Sequence, residues 1–111
     1  MSDTATPQPD SYEGKYPLPP ATFEFLVISL KTQAELQLGL LQFSEDERPE
    51  PDLRMARHTI DMLSMIQEKT RGNLVMEEQR LIENSLTELR FRYVQATEEL
   101  KKPKAEQQAQ D

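Results

Sequence analysis

The stretch QEKTRGNLVMEEQRL, residues 67–81, decides the fold of this chain, because one helix ends and the next one begins within it. Lys69 and Arg71 place positive charge in a last helical turn, where the helix dipole stabilises it. Gly72 can adopt the left-handed conformation that terminates a helix, and Asn73 tolerates a similar conformation. The sequence therefore predicts that a helix ends at this glycine.

A second helix is predicted to begin at Val75 or Met76, with Glu77 and Glu78 in its first turn. Val75 is a poor N-cap, because its side chain has no oxygen to accept hydrogen bonds from the exposed amides. Leu74 is predicted to pack back across the turn. Since the connection is so short, the two helices must form an antiparallel hairpin.

The segments on both sides of this turn have the periodicity of amphipathic helices, predicted over about residues 52–71 and 76–102. The apolar positions of the first of these are Leu53, Met55, Ala56, Ile60, Met62, Leu63 and Ile66. The second carries one stripe of Ile82, Leu86, Leu89, Tyr93, Ala96 and Leu100. Phe91 and Val94 lie off this stripe. The methionines Met55, Met62, Met65 and Met76 are interpreted as core residues, with a methionine-rich binding surface as the less favoured alternative.

The segment ATFEFLVISLKTQAELQLGLLQF, residues 21–43, is predicted to be a helix that is apolar nearly all round. At about 100° per residue, one face contains Phe23, Leu26, Val27, Leu30, Ala34, Leu38 and Leu41. A second, separate face contains Phe25, Ile28, Leu36, Leu40 and Phe43. A helix of this kind is usually buried nearly all round, but the hairpin can cover only one face. We therefore predict that the second face, with Phe91 and Val94, is a protein–protein interface.

The eight prolines divide the chain into one helical domain and two tails. Five of them lie in residues 1–20, and none lies between residues 21 and 48 or between residues 52 and 102. Because an internal proline destabilises a helix by about 3 kcal/mol, these stretches have been kept free of helix breakers. We predict a disordered Pro-rich tail over residues 1–20, a single helical domain over 21–102 and a polar tail over 103–111.

Composition excludes several classes of function. The chain has no cysteine, which removes disulfides and thiolate chemistry and favours a reducing compartment. Residues 1–20 lack the basic and apolar regions of a signal peptide, and no stretch of about 18 uncharged apolar residues could span a membrane. The formal net charge of −7 disfavours nucleic acid as a partner, because phosphate binding needs clustered Lys and Arg. We expect a cytoplasmic protein that binds no nucleic acid.

Candidate catalytic and metal-binding residues are few. His58 is the only histidine, and Asp61 lies three residues later on the same helix face, as a general base and its orienting carboxylate could. No nucleophile or glycine-rich loop accompanies them, so a surface histidine is the favoured interpretation. A carboxylate metal site in a helical bundle would need Glu-x-x-His spacing, which is absent. We therefore assign no catalytic residue, no metal and no cofactor.

Three segments are similar to a known family. They are ARHTIDMLSMIQEKTRGNL at residues 56–74, EEQRLIENSLTELRFRYV at 77–94 and, upstream, FLVISL with the Leu38–Gly39 pair. Together they resemble the domain of unknown function 1844 family of small bacterial proteins, over about residues 23–94. Val75 departs from the capping threonine that the family pattern leads us to expect. The resemblance implies a bacterial cytosolic protein and supplies no activity.

The predicted fold is therefore all-α, with a long apolar helix packed on an antiparallel helical hairpin. The predicted function is that of a non-catalytic structural or protein-interaction module that forms a homo-oligomer, with a dimer favoured. A further protein partner, including one for the N-terminal tail, is left open. The alternative is a peripheral membrane protein that lays its first helix on a bilayer, although sparse Lys and Arg disfavour it. An enzyme is disfavoured because no set of polar residues converges.

Overall fold

The computed structural model describes residues 17–41 and 50–101, and within them it contains three α-helices and no strand. Helix α1 spans Phe23–Gln37, α2 spans Leu53–Lys69 and α3 spans Met76–Lys101. Each helix packs against the other two. This arrangement confirms the predicted all-α fold, in which the first helix lies on a hairpin formed by the other two.

Some predictions concern residues that lie outside this description. They include the disorder of the Pro-rich tail up to residue 16, the polar tail over 103–111 and the position of Phe43. Residues 17–20, the part of the N-terminal segment that is described, are exposed and not helical.

Helix α1 begins where the sequence supplies a cap. The backbone N–H of Phe25 donates to the hydroxyl oxygen of Thr22 at 3.0 Å. This hydrogen bond satisfies one of the first amides of the helix, which have no partner within the helix itself.

Helix α1 ends at Gln37 and does not continue to residue 43 as predicted. Gly39 has a φ of 78°, in the left-handed region. Its N–H donates to the carbonyl oxygen of Leu36, and the N–H of the next residue donates to the carbonyl oxygen of Glu35, both at 3.0 Å. These two bonds form the Schellman motif, which terminates helices at glycine. The predicted end was wrong because the leucine spacing runs on past this stop.

Helices α1 and α2 are antiparallel, because the start of α2 is tied to the end of α1. The N–H of Asp52 donates to the carbonyl oxygen of Gln37 at 2.7 Å. The Asp52 carboxylate in turn accepts from the N–H of Met55 at 3.1 Å and caps α2. The negative charge therefore lies at the positive end of the helix dipole, where it is favourable.

The turn between α2 and α3 contains the predicted glycine in the left-handed region, with a φ of 87° at Gly72. Helix α2 ends at Lys69 with Thr70 as its C-cap, two residues before the predicted end at residue 71. Val75 is the residue before α3, and its N–H donates to the Glu78 carboxylate at 2.9 Å. This is one half of a capping box, and the other half is missing because valine has no side-chain oxygen. The antiparallel hairpin is confirmed.

The core lies between the three helices and uses their predicted apolar stripes. Its buried apolar residues are Val27, Ala34, Leu38, Ala56, Ile60, Leu63, Ile82, Leu86 and Leu89. Leu100 was predicted to continue the α3 stripe, but its side chain is 67% exposed. Helix α3 has 26 residues against 15 in α1 and 17 in α2, so its last turn extends beyond the helices that bury the rest of the stripe.

Candidate functional site

The outer face of α1 is the side opposite its buried residues Val27 and Ala34. By helical periodicity this outer face consists of Phe25, Ile28, Ser29, Thr32 and Leu36. Phe25 is 44% exposed and Ile28 is 47% exposed, while Leu36 is half-buried. Because the buried side of α1 faces the hairpin, the outer face points away from both α2 and α3.

All three charged residues of α1 lie on the edge of the helix that faces α3. The Lys31 Nζ atom is 3.2 Å from Glu88 Oε1 of α3. Glu24 and Glu35 share this edge, because they lie seven residues before Lys31 and four residues after it. The outer face therefore carries no charge, although the chain as a whole has a net charge of −7.

The other edge of α1 is held to α2 by uncharged polar groups. The buried Thr59 hydroxyl donates to Gln37 Oε1 at 2.7 Å and accepts from Gln33 Nε2 at 3.4 Å. Sequence reasoning missed this contact, since a threonine in an amphipathic helix gives no sign that its hydroxyl will be buried. The only available signal was the pair of glutamines one turn apart on α1.

The methionines of α2 extend this uncharged region. Met55 and Met62 lie one turn on either side of Thr59, on the edge of α2 that faces α1. Met62 is half-buried, whereas Met55, Met65 and Met76 are exposed. The interpretation of these methionines as core residues was therefore wrong for the three exposed ones. Met65, for example, lies on the side of α2 opposite the buried Ala56 and Leu63.

Five interface residues were predicted on the first helix. Of these, Leu40 follows the Gly39 stop and does not lie on α1, and Phe43 is outside the described residues. The prediction that Leu40 continues a helical strip was wrong for that reason. Leu40 instead lines a groove of about 750 Å³ at the end of the bundle, opposite Val94 and Leu100 of α3. The structure thus brings Leu40 and Val94 to one groove, separate from the outer face of α1.

Phe91 and Val94 of α3 are both exposed, but neither lies beside the outer face of α1, where they were predicted to complete the interface. Val94 lies beside Arg57 of α2 and Tyr93. Phe91, which is 59% exposed, lies on the side of α3 opposite the buried Leu89. The structure therefore groups neither of them with Phe25. Their predicted place in an interface is therefore left out of the proposal below, in which Phe91→Glu tests it.

The remaining candidate residues show no convergent chemistry within the described ranges. His58 and Asp61 are both exposed on α2. Across residues 17–41 and 50–101, no group of three or more histidine or carboxylate side chains is placed to hold a metal ion. None of the three helices has the length and apolar character needed to cross a membrane.

Comparison with known proteins gives one match. The family model described as "Domain of unknown function (DUF1844)" matches residues 20–95. The chain belongs to this family. No curated protein and no solved structure matches it.

Membership of the DUF1844 family confirms the resemblance inferred from the turn sequence. The matched residues contain all of α1 and α2 and most of α3. The outer face of α1, the glycine stop and the hairpin turn therefore all belong to the family domain. The family description itself names no activity, so function has to be argued from the surface of the fold.

Proposed function

We propose that this protein is a non-catalytic interaction module that forms a dimer through the outer face of α1. The observation that carries the proposal is an uncharged face, apolar at Phe25, Ile28 and Leu36, in a chain with a net charge of −7. Two copies of such a chain repel each other, and burying unpaired charges between them would be costly. Two copies can therefore associate through the uncharged face, and in a dimer with a two-fold axis both copies contribute this same face to the contact.

The exposed area indicates a weak dimer. Phe25 and Ile28 are each a little under half exposed, and so is Leu26, which was predicted on the covered face and borders the outer face on the α2 side. With Leu36 and the methionine edge of α2, the apolar surface is on the order of 400–500 Å² per copy. Two copies would then bury on the order of 1,000 Å², which is near the lower limit for a specific interface. We expect a dissociation constant in the micromolar range.

Light scattering coupled to size exclusion tests the proposal, with the full chain loaded at concentrations from about 5 to about 200 µM. The wild type should shift from monomer to dimer over this range. Phe25→Glu should remain monomeric throughout, because each copy would bury a carboxylate at the contact. Phe91→Glu is the matched control: it makes the same change at an exposed phenylalanine of α3 and should leave the dimer intact.

The outcomes separate the possible interfaces. A wild type that is monomeric at the highest concentration overturns the proposal. Loss of the dimer in Phe91→Glu but not in Phe25→Glu would assign the contact to α3 instead. Both variants should keep the helical circular dichroism of the wild type, because Phe25 is 44% exposed, Phe91 is 59% exposed and neither belongs to the buried core.

The membrane alternative finds little support on α1. Interfacial helices usually present a basic polar face to anionic lipids, whereas the one cation of α1, Lys31, contacts Glu88. In flotation with anionic liposomes, the protein should stay in the unbound fraction. Flotation of the wild type but not of Phe25→Glu would assign the outer face to a bilayer.

A further inference from the structure

We infer that the two α1 helices of the dimer pair antiparallel, about a two-fold axis that passes level with the midpoint between Ser29 and Thr32. The inference rests on the proposed function and specifies its geometry. It starts from the order of side chains along the outer face of α1. Small residues, Ser29 and Thr32, lie at the centre, and large ones, Phe25 and Leu36, lie at equal distances on either side.

An antiparallel pair uses this symmetry for four of the five outer-face residues, and only Ile28 has no counterpart at its level. Phe25 comes to the level of the partner's Leu36, and Ser29 to the level of the partner's Thr32. The small central residues allow the helix axes to approach to about 8 Å, and the large ones close the contact at both ends. The buried Val27 and Ala34 are centred on the same point. The two helical bundles therefore lie on opposite sides of the α1 pair.

Charge decides against a parallel pair, which would place each residue level with its own copy. The carboxylate of Asp52 lies near the end of α1, because the Asp52 N–H donates to the carbonyl oxygen of Gln37, and Glu50 precedes it by two residues. A parallel pair brings these carboxylates of the two copies to the same end. An antiparallel pair separates them by about the length of α1, roughly 22 Å, which is more than twice the screening length of about 8 Å at physiological salt. Antiparallel helix dipoles also attract.

Spin labels outside the contact measure the direction of the helices. The chain has no cysteine, so Ala21→Cys gives one labelling site per copy, exposed and just before α1. The label pair should be about 30 Å apart in an antiparallel dimer, from the rise of 1.5 Å per residue. It should be closer than about 20 Å in a parallel dimer, because both labels then lie at the same end.

Disulfide formation tests the register within the contact. An equimolar mixture of Phe25→Cys and Leu36→Cys chains should form a mixed disulfide on mild oxidation. Neither variant alone should form one, because identical positions lie about 16 Å apart along the helix axis, well beyond the reach of a disulfide. Met76→Cys, exposed at the start of α3, reports the background from random collision.

Each outcome decides one of the two proposals. Self-linked Phe25→Cys, or a short distance between Ala21 labels, overturns the antiparallel pairing and leaves the α1 dimer standing. A wild type that is dimeric by light scattering, with no disulfide above the Met76→Cys background in the mixture, also overturns the pairing. A wild type that is monomeric throughout overturns the proposed function as well.

Discussion

Replacing Val75 with threonine should stabilise the fold, because it adds the second hydrogen bond of the capping box at the start of α3. The Val75 N–H already donates to the Glu78 carboxylate at 2.9 Å. A threonine hydroxyl at the same position could accept from the N–H of Glu78, so that both amides would be satisfied reciprocally. The geometry therefore needs one added oxygen and no movement of the backbone.

The size of the effect follows from what the substitution adds and removes. A good N-cap side chain contributes about 1 kcal/mol relative to a residue without an acceptor. Val75 is 59% exposed, so exchanging one of its methyl groups for a hydroxyl should cost only about 0.3 kcal/mol. The net gain should be about 0.5–1 kcal/mol, which raises Tm by about 2–8 °C in a domain of this size.

Thermal unfolding followed by far-ultraviolet circular dichroism measures this gain, at one fixed protein concentration because self-association also shifts Tm. Val75→Ala is the control, since it removes the branched side chain without supplying an acceptor. Val75→Thr should exceed both the wild type and Val75→Ala. If it is no more stable than Val75→Ala, the reasoning fails, because α3 would then not depend on a cap at this position.

Three further tests, with five substitutions, examine the rest of the fold by chemical denaturation. Gly72→Val should lower the free energy of unfolding by about 1 kcal/mol or more, and Gly72→Asn by only a few tenths. The reason is that φ is +87° and no atom lies within 4 Å of an added Cβ. Equal losses in the two variants would contradict a purely conformational penalty. Thr59→Val should cost about 1 kcal/mol, because it removes the buried hydroxyl that donates to Gln37; an unchanged free energy of unfolding would show that this bond contributes nothing. Leu89→Ala should lower the free energy of unfolding by about 2–4 kcal/mol because Leu89 is buried, whereas the exposed Leu100→Ala should lower it by less than about 0.5 kcal/mol. Similar losses would place Leu100 in the core.

The hairpin could be predicted from sequence because its signals are local. Gly72, the charges around it and the acidic first turn of α3 all lie within 15 residues, and each acts on the backbone next to it. The end of α1 was harder, although Gly39 is also a glycine that terminates a helix. There the leucines continue at helical spacing through the stop, so hydrophobic periodicity and backbone conformation gave opposite answers. The backbone conformation decided the end of the helix.

The outer face of α1 was only partly predictable. A helical wheel separates Phe25, Ile28 and Leu36 from the side that the hairpin covers. The structure exposes Phe25 and Ile28, but it also exposes Leu26, at 45%, which the wheel assigns to the covered side. The wheel could not place Leu40, because it applies only while the helix lasts. Nor could a helical wheel predict the burial of Thr59, because that burial depends on how closely α1 and α2 approach each other and on which side chains of α1 face Thr59. Those are properties of the packed fold and not of either helix alone.

The attachment of α1 to the hairpin connects the fold with the proposed dimer. Helix α1 and its cap give the core Val27, Ala34 and Leu38, and α2 and α3 each supply three further buried apolar residues. The contacts at the two edges of α1, a partly exposed ion pair and a hydroxyl between two amides, add modest stability. Helix α1 is the shortest of the three helices and can open without breaking the hairpin of α2 and α3, so we expect it to open first in a single copy. A second copy that covers the outer face binds only the closed form, so it lowers the population of the open form by mass action. Amide hydrogen exchange in α1 should accordingly slow as protein concentration rises, and should stay constant in Phe25→Glu.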